Sequence, residues 1–235
     1  MKIKGLFLFF ILLFFISSCS VLYVPTPVNV PMLTNRGEAQ INTNLGFYGF
    51  SPQFAYAFSN HFGGYINLSA VGKPKADSSS YQYSIAPALG YFYKHGKFRM
   101  EVFSGLEAGS LASSYSIGNN TYRGVYTFRS VFLQPTIGYA SNLLDLGFTS
   151  DFVLISFDDV HSNNTYSTLL LEPLLTAKIG YRRVRLLIQG GLAIDANKDP
   201  DVITFPVIAT LGLNINLGKA RYVRETSSRY KHQGM

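Results

Sequence analysis

The 235-residue chain has no tryptophan, a single cysteine and little charge. Each shortage excludes something. One cysteine cannot build a disulfide framework. Charged residues make up 14% of the chain, against about 25% in an ordinary soluble domain, yet 47% is hydrophobic. A disordered chain has the opposite balance. Long apolar runs are also missing. The longest is Leu6–Ile16, about half of the roughly 20 residues that a membrane-spanning helix needs. What the chain does hold is Tyr and Phe, which together supply the whole 15% of aromatics. The composition predicts an all-β protein.

The first residues read as an address. Lys2 and Lys4 precede the apolar run, and Ile16-Ser17-Ser18-Cys19 follows it directly. A short charged region, a short apolar core and small residues make a secretory signal, here 1–18. The four residues resemble the bacterial lipobox, and that resemblance implies cleavage before Cys19 and acylation of its thiol, palmitate included. The segment 19–37, with Pro25, Pro27 and Pro31, then reads as a lipidated, extended periplasmic tether.

The formal charge of +7 is concentrated at the two ends. Without the two leader lysines and the net +4 of the tail 219–235, the body carries about +1. No basic face for nucleic acid is expected. The tail is a solvated, flexible end or a contact to anionic lipid headgroups.

From residue 38 to 218 the chain alternates with the period of strands. Ala39, Ile41, Thr43, Leu45 and Phe47 stand against Gln40, Asn42, Asn44 and Gly46, and the pattern recurs along the chain. Ten strands are expected, near 38–48, 52–58, 63–71, 81–93, 98–112, 122–139, 144–156, 167–181, 184–194 and 202–217. Short connections at 59–62, 94–97, 140–143 and 182–183 alternate with longer ones at 72–80, 113–121, 157–166 and 195–201. The 49–51 connection departs by being short. Long strands with alternating short turns and long loops predict an antiparallel, up-and-down transmembrane β-barrel of the outer-membrane type. About ten strands are expected, with eight or twelve as the alternatives. Both termini fall in the periplasm on this reading. Tyr91, Tyr93, Tyr139 and Tyr181 would form an aromatic girdle there. Pro87-Ala-Leu-Gly90-Tyr91 recurs as Pro135-Thr-Ile-Gly138-Tyr139, with a looser copy from Pro173 to Tyr181. Each proline is expected to mark a bulge.

Alternation points Arg99, Glu101, Glu107, Asp151, Glu172, Lys178 and Arg185 into the lumen. Nearly balanced charges suit an ion-paired interior or a narrow, weakly selective pore. Asp158, Asp159 and His161 on the 157–166 loop are the catalytic candidates, since an Asp-x-His pair can activate water. That arrangement resembles the omptins, ten-stranded outer-membrane proteases with Asp-His and Asp-Asp pairs at the rim. The resemblance gives Asp199 and Asp201 the second role. Ser162 beside His161 suggests a lipid A deacylase in the same way. The other histidines, His61, His95 and His232, make no metal-ligand cluster, and Gly63-Gly64 and Gly190-Gly191 lie in or beside strands rather than in a phosphate loop. No cofactor is expected.

Cys19 to Gly64 carries Tyr23-x-Pro25, Pro31-Met32-Leu33, Gly37-Glu38 and Gln53-x-Ala55-Tyr56 before Asn60-His61. In these features it resembles small outer-membrane lipoproteins of Bacteroidetes. The resemblance implies an outer-membrane barrel and assigns no catalytic residue. Ser20-Val21-Leu22 lacks the acidic residues that often follow the cysteine of surface-exported lipoproteins there, which favours an inner-leaflet anchor. The expected role is a structural or accessory subunit of an envelope complex, with Tyr115, Tyr122 and Tyr166 as partner contacts. A narrow channel and a rim hydrolase are the alternatives.

Overall fold

The computed structural model describes residues 23–46, 49–72, 81–117, 120–160, 164–181, 183–197 and 206–218, with main chain alone for 113–117 and 120–123. The leader, Cys19, His161, Ser162, Asp199, Asp201 and the tail lie outside the described residues, as do the side chains of Tyr115 and Tyr122.

Ten antiparallel strands close into a barrel. They are β1 Ala39–Gly46, β2 Gly49–Ala57, β3 Phe62–Gly72, β4 Tyr81–His95, β5 Phe98–Ile117, β6 Asn120–Ala140, β7 Leu144–Asp159, β8 Thr165–Tyr181, β9 Val184–Leu192 and β10 Val207–Asn216. Ile194–Asp195 adds a short continuation of β9 along β8. Consecutive strands pair, and β1 pairs with β10 to complete the circle. The alternation seen in the sequence is the alternation of the wall. Large apolar side chains stand exposed on the outer face of every strand, for example Leu146, Phe148, Phe152 and Leu154 of β7. A continuous apolar exterior of this kind is foreign to water and suited to lipid. Tyr91, Tyr93, Tyr139 and Tyr181 all stand exposed near the short-turn end.

The wall is uneven in height. β5 and β6 run 20 and 21 residues, against 8 and 9 for β1 and β2. The connection expected at 113–121 is therefore mostly strand and that at 157–166 half strand: β5 reaches Ile117, β6 starts at Asn120, β7 reaches Asp159 and β8 starts at Thr165. Beyond the apolar band these strands carry polar residues outward. Arg129, Ser156, Asp158 and Ser167 bond to one another or to Thr165 across the outer face. A segment polar on its outer face lacks the apolar signal by which a strand is recognised, and so it reads as a loop.

The prolines do not make bulges. Each of β2, β4, β6 and β8 has one, at Pro52, Pro87, Pro135 and Pro173. At Pro87 the ladder passes from Ile85–Ala108 to Ala88–Gly105, skipping two residues on both strands. The same equal skip occurs at Pro52, Pro135 and Pro173. A bulge needs unequal counts, so register is kept. The missing proline N–H opens a short gap in the ladder towards the following strand instead.

The largest departure from the sequence reading concerns 23–34, the greater part of the expected tether. This segment runs down the inside of the barrel. Tyr23, Val28, Asn29, Val30, Met32, Leu33 and Thr34 are all buried. Tyr23 sits among Phe128 and Phe157, on the tall wall near the loop end. Thr34 meets Glu38 at the short-turn end. There Asn35, Arg36 and Gly37 reverse the chain into β1. Gly37 adopts φ +80° and donates its N–H to the Ala57 carbonyl at 2.8 Å, a conformation that suits a residue with no Cβ. The described chain thus begins at one end of the barrel and finishes, at Gly218, at the other.

A threaded lumen as the candidate functional site

Apart from one bridge residue at Tyr23, the extended segment inside the barrel is not part of the sheet, and its buried carbonyls and amides must still be satisfied. The lumen does this with side chains from six different strands, and a seventh strand bonds the side chain of Asn29. Gln82 of β4 brackets Val24, accepting its N–H at 3.0 Å and donating to its carbonyl at 2.8 Å. Gln53 of β2 donates to the Pro27 carbonyl at 2.7 Å, Gln189 of β9 to Val28 at 2.8 Å, and Gln134 of β6 to Asn29 at 2.7 Å. Asn42 of β1 donates to the Asn29 side chain at 2.9 Å. Lys178 of β8 donates to the Pro31 carbonyl at 3.1 Å. Glu101 of β5 accepts the N–H groups of Met32 at 3.0 Å and Leu33 at 2.6 Å. These partners follow the order of the chain from loop end to turn end, so the segment is extended until it turns at Met32. Its prolines suit this: they favour the extended backbone and bring no N–H in need of an acceptor.

Glutamine is the right residue for the task. Its amide reaches from the wall to the axis and donates to a carbonyl without placing a charge in the lumen. Glu101, a carboxylate that binds two of the segment's N–H groups, does so where the backbone turns. Met32 has φ +54°, the left-handed region. That conformation aims two successive N–H groups the same way, an arrangement that suits an anion. Met32 and Leu33 fill sockets cut by glycine. A Cβ on Gly147 would strike the Met32 methyl, and one on Gly63 would come within 2.5 Å of Leu33 Cδ1.

The base of the segment is clamped by Glu38. Its carboxylate accepts from the Thr34 N–H at 2.8 Å and hydroxyl at 2.6 Å, and from Gln40 and Asn216, each at 2.8 Å. Near the same end, buried Asp145 forms an ion pair with Arg185 at 2.5 Å. Sequence reasoning singled out neither acid. Glu38 was legible only as a strand start, and Asp145 stands one residue into β7, where a turn residue is the ordinary reading.

The seven charges assigned to the lumen by alternation are all buried there. They divide by height. Arg99, Glu101, Lys178 and Arg185 lie towards the turn end among main-chain carbonyls and amides; Arg99, for example, donates to the carbonyls of Gly96 and Phe98. Glu107, Asp151 and Glu172 lie higher and border one small cavity with Tyr23, Tyr65 and Gln134. Asp151 and Glu172 are direct neighbours across β7 and β8. Above them the lumen turns apolar, with Tyr23, Leu111, Phe128, Ile155, Phe157 and Leu170 in one cluster. Tyr126 and Tyr166 cap that cluster as half-buried packing residues.

Of the catalytic candidates, Asp158 and Asp159 fall within the described residues, and these two do not share a face. Adjacent residues on a strand face opposite ways. Asp158 stands on the outer face, where Arg129 at 2.9 Å and Thr165 at 2.8 Å hold its two oxygens. Those hydrogen bonds, from Arg129 first, keep its carboxyl below the usual aspartate range. Asp159 lies on the other side of the strand. Among the described residues no cluster of three His, Cys, Asp or Glu side chains is arranged to hold a metal. Outside, a shallow apolar dent of about 610 Å³ lies over the Pro87 gap, floored by Gly64, Ser104 and Gly105.

No protein-family model matches the chain, and no curated protein matches it in sequence.

Proposed function

We propose that the chain is an outer-membrane barrel, anchored by a lipid on Cys19, that serves as a structural or accessory subunit of an envelope complex and not as an open conduit. The observation that carries this reading is the threaded segment. A ten-stranded barrel has a narrow interior at best, and here a segment runs down its axis with its main chain hydrogen-bonded to six strands and the Asn29 side chain to a seventh. A transport pore is poorly served by a lumen filled this way. A rigid, sealed barrel with an apolar exterior and a tall polar rim is suited to holding position and offering surface. The rim around the β5–β6 hairpin, with Tyr115 and Tyr122, is the place where a partner would meet it.

Two measurements test the proposal together. Gentle extraction in native form followed by identification of stoichiometric companions reads the subunit role. Planar-bilayer recording reads the lumen, and the expected trace is flat. A solitary barrel with steady conductance would overturn the reading and make the narrow channel the better one.

A further inference from the structure

The direction of the threaded segment decides where the N-terminus emerges. Tyr23 lies near the loop end, packed on Phe128 and Phe157, and Val24 is held by Gln82, the second residue of β4 from that end. Three residues lie between Cys19 and Tyr23, and the four steps along the chain span at most about 14 Å. The opposite end lies eleven residues of threaded chain below, roughly 34 Å at about 3.1 Å per residue. The lumen between is already filled. Cys19 therefore cannot return to the short-turn end, where β1 begins and β10 finishes.

We infer that the mature N-terminus, with the lipid it carries, emerges at the long-loop end of the barrel and so at the outer surface of the membrane. In outer-membrane barrels the short turns face the periplasm and the longer loops face outward. The acyl chains on Cys19 then insert in the outer leaflet, while Gly218 and the basic tail that follows it leave on the periplasmic side. This reverses the expectation of an inner-leaflet anchor with both termini periplasmic. It also gives the threading a purpose: the barrel carries its own N-terminal segment across the membrane and holds it there. The absence of an acidic export signal after Cys19 is then no obstacle, because the passage is built into the fold. The inference rests on the outer-membrane reading for the identity of the two faces. It rests on the lipoprotein reading for the acyl group alone.

The test is sidedness in intact cells with a membrane-impermeant maleimide. Val21→Cys reports the N-terminus, Ser79→Cys in the 73–80 connection reports the loop end, and Lys97→Cys in the β4–β5 turn reports the other. Val21→Cys and Ser79→Cys are expected to react on intact cells, and Lys97→Cys only after the outer membrane is permeabilised. If Val21→Cys sorts with Lys97→Cys, the inference is wrong. The threading is read separately by an Asn29→Cys, Asn42→Cys pair joined with a short, membrane-permeant bis-thiol reagent, folding being checked by heat-modifiable migration. A folded barrel with no bridge overturns the inference even where Val21→Cys is shielded by lipid. Mass spectrometry of the N-terminal peptide keeps the lipid question apart. An unmodified Cys19 beside a surface-reactive Val21→Cys would remove the lipid and leave the surface N-terminus standing.

Discussion

The side-chain amide of Gln134 donates to the main-chain carbonyl of Asn29, 105 positions earlier, inside the barrel, and its own oxygen accepts from the Tyr65 hydroxyl at 2.6 Å. Gln134 is thus a bridge between the wall and the threaded segment. Gln134→Ala strands the buried Asn29 carbonyl and Tyr65 hydroxyl. A loss of about 1–3 kcal/mol is expected for each buried group left unpaired. Denaturation of the detergent-solubilised barrel, followed by heat-modifiable migration, should show it. Gln134→Glu keeps the shape but sets a carboxylate oxygen against that carbonyl, and should be no better than alanine. A Gln134→Ala barrel as stable as wild type would mean that the segment is not held in the lumen.

The socket for Met32 offers a test that hydrogen bonding does not confound. Gly138 and Gly147 leave the space that the Met32 thioether fills. Gly147→Leu should displace Met32 and cost roughly 1–3 kcal/mol by overpacking. Pairing it with Met32→Ala returns the volume, so the double variant should recover much of that loss. Strict additivity of the two changes would show that the side chains do not meet.

Asp158 gives a pH dependence of known sign. Its folded pKa is depressed, chiefly by the hydrogen bond from Arg129. The stabilisation it brings is present in full above its unfolded value of about 3.9 and is lost as pH falls through the lower folded value. Any stability difference between wild type and Asp158→Asn should hold from neutral pH down to about 4, and then close in stronger acid. The pair is solvent-exposed, so the difference should be small and should shrink further in high salt. A difference that grows on acidification would contradict the assignment.

How much of this was legible in sequence depends on the range of the interaction. A period of two is local, so the placement of Arg99, Glu101 and Lys178 on the inner face followed from their neighbours alone. The long hairpin tips were lost because Ser113, Ser114 and Ser116 carry no apolar alternation once the strands leave the band. The prolines were misread because proline removes one donor whether or not the register shifts, and sequence cannot distinguish the two. The threading was invisible for a stronger reason. A proline-rich stretch has the same composition as a free tether and as a strand buried on an axis. What separates them is Gln53, Gln82, Gln134 and Gln189, between 26 and 161 positions away, and four glutamines on four inner faces announce nothing singly.

Glu101 is where the segment should be easiest to release. Its carboxylate holds the N–H groups of Met32 and Leu33 at the left-handed turn, and a hydrogen bond to a charged group is worth about 1.5–3 kcal/mol. Glu101→Ala removes both at once and leaves Met32 in a conformation that costs about 1–2 kcal/mol without its anion. The turn at Met32 and Leu33 should then loosen transiently, while Lys178 above it and Glu38 below it keep their bonds to the segment. Brief, discrete openings are expected in planar bilayers where the wild type shows none, together with faster hydrogen exchange at Met32 and Leu33. Met32→Gly in the Glu101→Ala background relieves the strain, and Met32→Ala in the same background empties the socket without relieving it, so the pair separates the two causes. Openings that persist point to lost grip. Openings that disappear point to the strained turn. A flat trace for Glu101→Ala, with exchange unchanged, would show that the carboxylate is not what secures the segment.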